Sequence, residues 1–513
     1  MNSYRLQAAS CRVRRKTTVA RPCRLKSFCL SFIVSRLLYV PSPHFQVLCI
    51  VPAPTLDDGI RRRAEASSSQ ETGRIHHSSF IVHQSPTVFN FDYDGLRRGY
   101  YSDAYFLNGV RVLSKLAESG MAFHGRCLRA NLAGLDLSSV QSGDVEVEMQ
   151  YFAKREPWCI AAGIDAAIAI LRECTGYFEN GTFINTAGKL EIDAMPEGSR
   201  LPPRCPALKV RGRYRDFGAH ETTTLGVLSR ASLIATNVYR VLEASNGTPV
   251  FFFPARFDAY TTQALDGYAY KIAIDAYNRE HGAGLEPLVS TDAQARWWQG
   301  RGGGTVAHAF ILCFLGDTAE AMLAFAQHMP PDVQRIALVD TNNDCVSDTA
   351  TTAKVLFRRF MELMERGETT EAEKFRLFGV RLDTAGDVRD ASVSPLGEPP
   401  LDLGVCPRLV VNVRRCLDAL HESAGIPDRW RPAARDYFQA VRIVASGGFD
   451  DRKVALFTRL GVPVDIYGIG SYFRSGQNDF TADIVRVKIG GTWHDMAKVG
   501  RGPWENPDLR RVQ

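Results

Sequence analysis

Two kinds of apolar pattern alternate along this chain. "DVEVEMQYFAKR" (144–155) alternates polar and apolar residues with period two, which predicts a strand on a half-exposed sheet. "EPWCIAAGIDAAIAILREC" (156–174) reads as an apolar helix, and a polar, Gly/Pro-containing stretch from 181 to 211 breaks the pattern. From about residue 213 the pattern changes. "TTTLGVLSRASLIATNVYRVLEAS" repeats apolar residues every three or four positions, as a helix does. "TPVFFFPAR", "RIALVD", "FGVRLD", "RIVASGG" and "VDIYGIG" are short apolar runs of the kind found in strands buried on both faces. Helical stretches such as "TATTAKVLFRRFMELMERG" and "DRKVALFTRLG" separate several of them. Such alternation builds βα units on a parallel sheet, either open or closed into a barrel.

The ends of these runs favour the barrel. They finish at Arg256, at Asp340, at Arg381 and Asp383, at Ser446, Gly447 and Gly448, and at Gly468, Gly470 and Ser471. A barrel gathers its strand ends on one face, where active sites sit. Arg381 and Asp383 are two apart and share a strand face. Asp340 and Asp383 could grip Mg²⁺ or sugar hydroxyls; Asp344, Asp348 and Asp387 read as solvated loop acids. The glycine turns of "SGGFDDRKV" and "GIGSY" can present backbone N–H groups to a phosphate.

"GRGGGTVAHAF" (300–310) is glycine-rich but follows no buried strand, so it is not a dinucleotide fingerprint. Its glycines lead instead to Thr305 and His308, as in a loop that lets a phosphoryl group approach closely; by spacing alone His308 equally reads as a core histidine.

Composition limits the remaining classes. Apolar residues make up 45% and charged residues 23%, as in ordinary globular proteins. The net charge of +6 comes from the N-terminus: residues 1–56 hold nine of the 62 Lys and Arg and no acid. The rest of the chain is mildly acidic, with no basic stripe for nucleic acid. The tail's apolar patch is interrupted by Arg36 and too short to span a membrane. Residues 1–85 are expected to be a basic extension outside the fold; organellar targeting is the other reading. Four of the twelve cysteines (Cys11, Cys23, Cys29, Cys49) lie in it, and the others are scattered without a C-x-x-C pair, against a zinc site or a disulfide framework.

Taken in order, "SDAYF", "FFPAR", "GTVAHAF", "LVDTNND", "GVRLDTAGD", "VASGGFD" and "YGIGSYF" resemble the nicotinate phosphoribosyltransferases, over residues of about 100–475. The resemblance implies an irregular α/β barrel of the type II phosphoribosyltransferases (213–475) and an α/β sandwich domain (86–212) completed by 476–513. It implies that nicotinate and phosphoribosyl pyrophosphate give nicotinate mononucleotide and pyrophosphate, with Mg²⁺, and with ATP as co-substrate through a phosphorylated histidine. By motif, His308 matches the phosphohistidine. Thr305, Phe253, Arg256 and Arg381 match the nicotinate and phosphoribosyl pocket. Tyr105 matches an aromatic supplied across a homodimer interface. Asp340 and Asp383 match acids near the ribose and pyrophosphate. Ser446, Gly447, Gly448, Gly468, Gly470 and Ser471 match the 5′-phosphate cradle. A cytoplasmic protein is expected.

The chain departs from the family at Phe257, at Asn342 and Asn343, and at Ser471, where a Thr is common. Nicotinamide phosphoribosyltransferase is the nearest alternative, with Asp275 considered as a reader of the ring substituent; a relative without catalysis is another. A quinolinate enzyme fits less well, since two carboxylates need several cations. A Schiff-base aldolase would need a strand-end Lys, and none is present.

Overall fold

The computed structural model describes residues 89–513 apart from Ala424, so the expected basic extension lies outside the described residues. Two six-stranded sheets organise them. The first is antiparallel, in the order Thr492–Asp495, Phe480–Ile489, Glu146–Ala153, Pro206–Arg213, Glu191–Ala194, Arg510–Arg511. Three of its strands come from the last 34 residues, so segments far apart in sequence share one sheet.

The strand Glu146–Ala153 is not half-exposed, as its alternation predicts; both faces are buried. Val147, Met149, Tyr151 and Ala153 face a core made with the helix Ile164–Cys174. On the other face the polar positions find partners. Glu148, 1% exposed, lies 2.6 Å from Arg211 Nε and 3.1 Å from Arg486 Nη1. Gln150 donates to the Gly502 carbonyl at 3.1 Å and accepts from Trp504 N. Alternation therefore marks two faces with different partners, one apolar and one ionic. Paired, hydrogen-bonded charges tolerate such burial. The helix expected over 156–174 begins only at Ile164; a short strand, Cys159–Ile160, precedes it. The stretch read as an interruption holds the strands Glu191–Ala194, Arg200–Leu201 and Pro206–Arg213, too short or too polar to announce themselves.

The second sheet is wholly parallel: Ile336–Leu338, Gly379–Leu382, Arg442–Ala445, Ile466–Ile469, Val250–Phe252, Leu288–Val289. All five apolar runs of the second half lie in it, and the helices Glu221–Ala244, Cys345–Glu365 and Asp451–Arg459 form where the periodicity predicts. The sheet curls. Ile336 on one edge strand joins Phe251, Val444 and Ile466 in one cluster, with Leu288 of the opposite edge packed against it. This interior layer fills the barrel beneath its strand ends. The edge strands do not pair with each other among the described residues; Gly303 N instead donates to the Val289 carbonyl at 2.8 Å. The fold is an irregular, incompletely closed α/β barrel beside an antiparallel sheet with its helices. Among the described residues, no helix is long and apolar enough to cross a membrane, and the eight cysteines are free.

His220, at the start of the helix Glu221–Ala244, is buried, with Nε2 2.7 Å from the Cys174 carbonyl. Burial pushes its imidazole down from 6.5 to about 4. Below the unfolded value of 6.5 the unfolded chain binds the proton and the native chain does not, so stability falls with pH until about 4. Urea unfolding at pH 5 is expected to give about 2 kcal/mol less stability from this group than at pH 7. His220→Gln should flatten that part of the profile.

Candidate active site

Each site residue stands where a barrel strand ends or where the glycine-rich loop crosses the open edge. On the strand Gly379–Leu382, Val380 and Leu382 turn into the main core. Arg381, and Asp383 just beyond the strand, take the opposite face, as period-two geometry requires.

Arg381 is the hub. Its Nε donates to Ser446 Oγ (2.8 Å), Nη1 to Thr305 Oγ1 (3.1 Å) and Nη2 to Asp383 Oδ2 (2.9 Å). Its guanidinium lies 5.1 Å from the centroid of the Phe253 ring, a cation–π approach. Ser446 closes the ring of contacts, with its one proton shared between Asp383 Oδ1 (2.8 Å) and the Leu382 carbonyl (2.9 Å). The Ser446 side chain was expected to face a phosphate. Its hydroxyl is instead committed to Arg381, Asp383 and Leu382, and only 2% of the residue is exposed.

His308 opens the helix His308–Leu312, and its Nε2 lies 3.0 and 3.1 Å from the two oxygens of Asp340. The imidazole is 43% exposed, whereas the Asp340 side chain is 7% exposed. Burial pushes the Asp340 carboxyl up; His308 opposes this and the Asp383 charge adds to it. The neutral tautomer that donates from Nε2 to Asp340 leaves the Nδ1 lone pair open, as a nucleophilic imidazole requires.

The turn after Ser446 puts Gly447 and Gly448 at φ +84° and +70°, a conformation that favours glycine. Asp450 then caps the helix Asp451–Arg459 by accepting from Lys453 N at 2.7 Å. The turn's N–H groups and this helix start have the composition of an anion cradle. Lys453, which sequence reasoning passed over, places Nζ 3.2 Å from the Gly447 carbonyl and 4.2 Å from the Phe449 ring centroid. Burial pushes its ammonium down. Its signal was its position three residues after the capping Asp. Gly468 makes room for Phe253: a Cβ there would lie 2.7 Å from the ring. Gly470 does the same for Phe257, at 2.5 Å. Ser471 is exposed at the head of the turn Ser471–Arg474.

Some expected members stand elsewhere. Arg256 follows Phe253 in the turn Pro254–Phe257 but is exposed, over the Phe257 ring at 5.1 Å. Tyr105 lies on the helix Ala104–Glu118, none of whose residues is buried. Its side chain is 66% exposed and meets Phe106 rather than the Arg381 group. Asp275 pairs with Lys271 on the helix Gln263–His281 at 2.5 Å and has no part in the group. Asp344 caps the helix Cys345–Glu365, and Asp348 accepts from Asn342. Among the described residues, no cluster of three or more His, Cys, Asp or Glu is arranged to hold a metal by itself.

Known proteins of one chemical class resemble this chain. Residues 136–232 match the model of the quinolinate phosphoribosyl transferase N-terminal domain; the match ends before Phe253. The chain is 25% identical over 295 residues to nicotinate phosphoribosyltransferase pncB1 of Mycobacterium tuberculosis, covering 58% of this chain and 52% of that protein. It is 25% identical over 319 residues to the nicotinate phosphoribosyltransferase of Bos taurus, covering 58% and 54%. The chain thus spans about half the length of the curated relatives it matches. A nicotinate-nucleotide pyrophosphorylase from Pyrococcus furiosus superposes with a TM-score of 0.53 at 25% identity, over 79% of both chains.

The fit of Phe253 against Gly468 can be tested directly. Gly468→Ala is expected to lower stability to urea by about 1–3 kcal/mol through overpacking. In the background of Phe253→Ala the same substitution should cost much less, which a double-mutant cycle measures.

Proposed function

We propose that this chain is a type II phosphoribosyltransferase that joins nicotinate to phosphoribosyl pyrophosphate, giving nicotinate mononucleotide and pyrophosphate. The observation that carries the reading is the juxtaposition of two groups on the barrel's strand ends. One is Arg381 held between Thr305, Asp383 and Ser446 over Phe253; the other is the His308–Asp340 pair. The named relatives point to the same chemistry.

In this reading Phe253 stacks on the flat pyridine ring, and Arg381 and Thr305 face its carboxylate. Fixing the ring nitrogen over the anomeric carbon makes the encounter effectively intramolecular. The N–C1 bond forms as the C1–pyrophosphate bond breaks, and positive charge builds on the ribose. Asp383, beside Arg381, favours that charge electrostatically. The Gly447–Gly448 turn and the Gly468–Ser471 loop would hold the 5′-phosphate. Asp340 and Asp383 are too few to cage Mg²⁺ but suit an ion that arrives on pyrophosphate oxygens and keeps much of its water. When bound, Mg²⁺ supplies neutralisation of the leaving group. His308 would take a phosphoryl group from ATP on Nδ1, with Asp340 fixing the tautomer. A homodimer that brings Tyr105 to a neighbouring pocket, in the cytoplasm, completes the proposal.

The quinolinate domain match favours a second substrate, quinolinate, on the same fold. That match covers none of the barrel residues of the site, and the Arg381 group supplies one guanidinium for one carboxylate. The assay that decides measures pyrophosphate release with phosphoribosyl pyrophosphate, Mg²⁺ and, in separate arms, nicotinate, nicotinamide and quinolinate. Release with nicotinate alone is expected; release with none of them would overturn the transferase reading.

Two substitutions divide the roles. Arg381→Lys, whose donors all sit on one nitrogen and cannot span the three partners reached by Nε, Nη1 and Nη2, is expected to lower kcat/KM for nicotinate by about a hundredfold. Asp340→Asn should leave a basal rate but remove most of the stimulation by ATP, as should His308→Ala. Equal stimulation of parent and variants would sink the phosphohistidine role.

A further inference from the structure

A cavity of about 450 Å³ lies apart from the Arg381 group. That volume is within the usual range of small-molecule sites, about 300–1,000 Å³. Three segments line it: the loop following the strand Glu191–Ala194, the last turn of the helix Gln263–His281, and the C-terminal strand Arg510–Arg511 with the residues before it. Each segment contributes an arginine: Arg200, Arg279 and Arg510.

The three are not equivalent. Arg200 is neutralised and fixed, 2.6 Å from Glu243 and 3.1 Å from Glu280, with its guanidinium 4.4 Å from the Trp158 ring centroid. Glu280 is spent on it and on the Tyr239 hydroxyl, 2.5 Å away. Among the described residues Arg279 donates only to the Gly198 carbonyl, at 3.3 Å. Among the described residues neither Arg279 nor Arg510 forms an ion pair with a carboxylate. The cavity thus presents two solvent-exposed guanidinium groups open to an anion. Guanidinium forks match phosphate oxygens with paired N–H donors. Asp508, on the wall, has no ion pair among the described residues either and offers an acceptor for hydroxyl donors.

We propose that this cavity is a second ligand site, which takes a sugar phosphate. Arg279 and Arg510 hold the phosphate and Asp508 accepts from the sugar hydroxyls. The proposal is independent of the transferase reading, because none of these residues touches the Arg381 group.

Equilibrium dialysis with ribose 5-phosphate, and separately with inorganic phosphate, tests it on the full chain. Arg279→Ala/Arg510→Ala should bind one ribose 5-phosphate fewer per chain than the parent, with an unchanged melting temperature in the absence of ligand. Asp508→Asn should weaken ribose 5-phosphate at that site at least tenfold and leave phosphate binding unchanged. Transferase activity should stay at the parental level in both variants, whatever substrate it uses. Equal stoichiometry in the parent and the double variant would overturn the site. A double variant that loses stability without ligand would mean that the arginines serve the fold, and would overturn it too.

Discussion

The arrangement of this protein's site depends on one half-buried cation, Arg381. A guanidinium partly withdrawn from water must have its donors satisfied and its charge answered. Three residues from three segments do this: Thr305 from the glycine-rich loop, Asp383 from its own strand end and Ser446 from the next strand. Phe253, from a fourth segment, supplies a ring face. Removing one member leaves a charge or a donor without its partner, which is why the group acts as a unit rather than as four independent contacts. The parallel register makes the meeting possible, since Arg381 pairs with Val444 and Leu382 with Ala445. That places Ser446 beside Asp383.

The barrel's incomplete closure serves the same end. Where the edge strands fail to pair, the 300–307 loop lies against Leu288–Val289 and delivers Thr305 and His308 to the strand ends. His308 then meets Asp340 at the end of the other edge strand, Ile336–Leu338. A fully hydrogen-bonded barrel would have no edge for the loop to occupy. The partial burial of Asp340 and the exposure of His308 follow from that crossing: the acid stays at the barrel wall and the imidazole faces outward.

The antiparallel sheet follows another logic. Its central strand carries acids toward a face closed by Arg211, Arg486 and the segment around Trp504. The chain's last residues are therefore part of its first sheet, and charge complementarity holds them there. The segment that contributes Arg510 to the lateral cavity is positioned by the same sheet.

Much of this was legible in the residues themselves. Apolar runs ending in Arg381–Asp383, Ser446–Gly448 and Gly468–Ser471 marked parallel strands and a convergent face, because buried strands must be apolar and only their ends can carry chemistry. The glycines before Thr305 and His308 marked a loop built for close approach. Local pattern left other matters open. It read Glu148 and Gln150 as exposed, since period two reports a face and not what covers it. It gave Ser446 to a phosphate, although its hydroxyl is committed to Arg381 and Asp383. It had no means of joining His308 to Asp340, 32 positions away. Tyr105 stays outside the group within one chain for the same reason. The sequence by itself determined which residues could bind, titrate or turn, because those properties are local. The tertiary structure alone decided which of them meet, because strand register and the unpaired barrel edge arise only when distant segments pack.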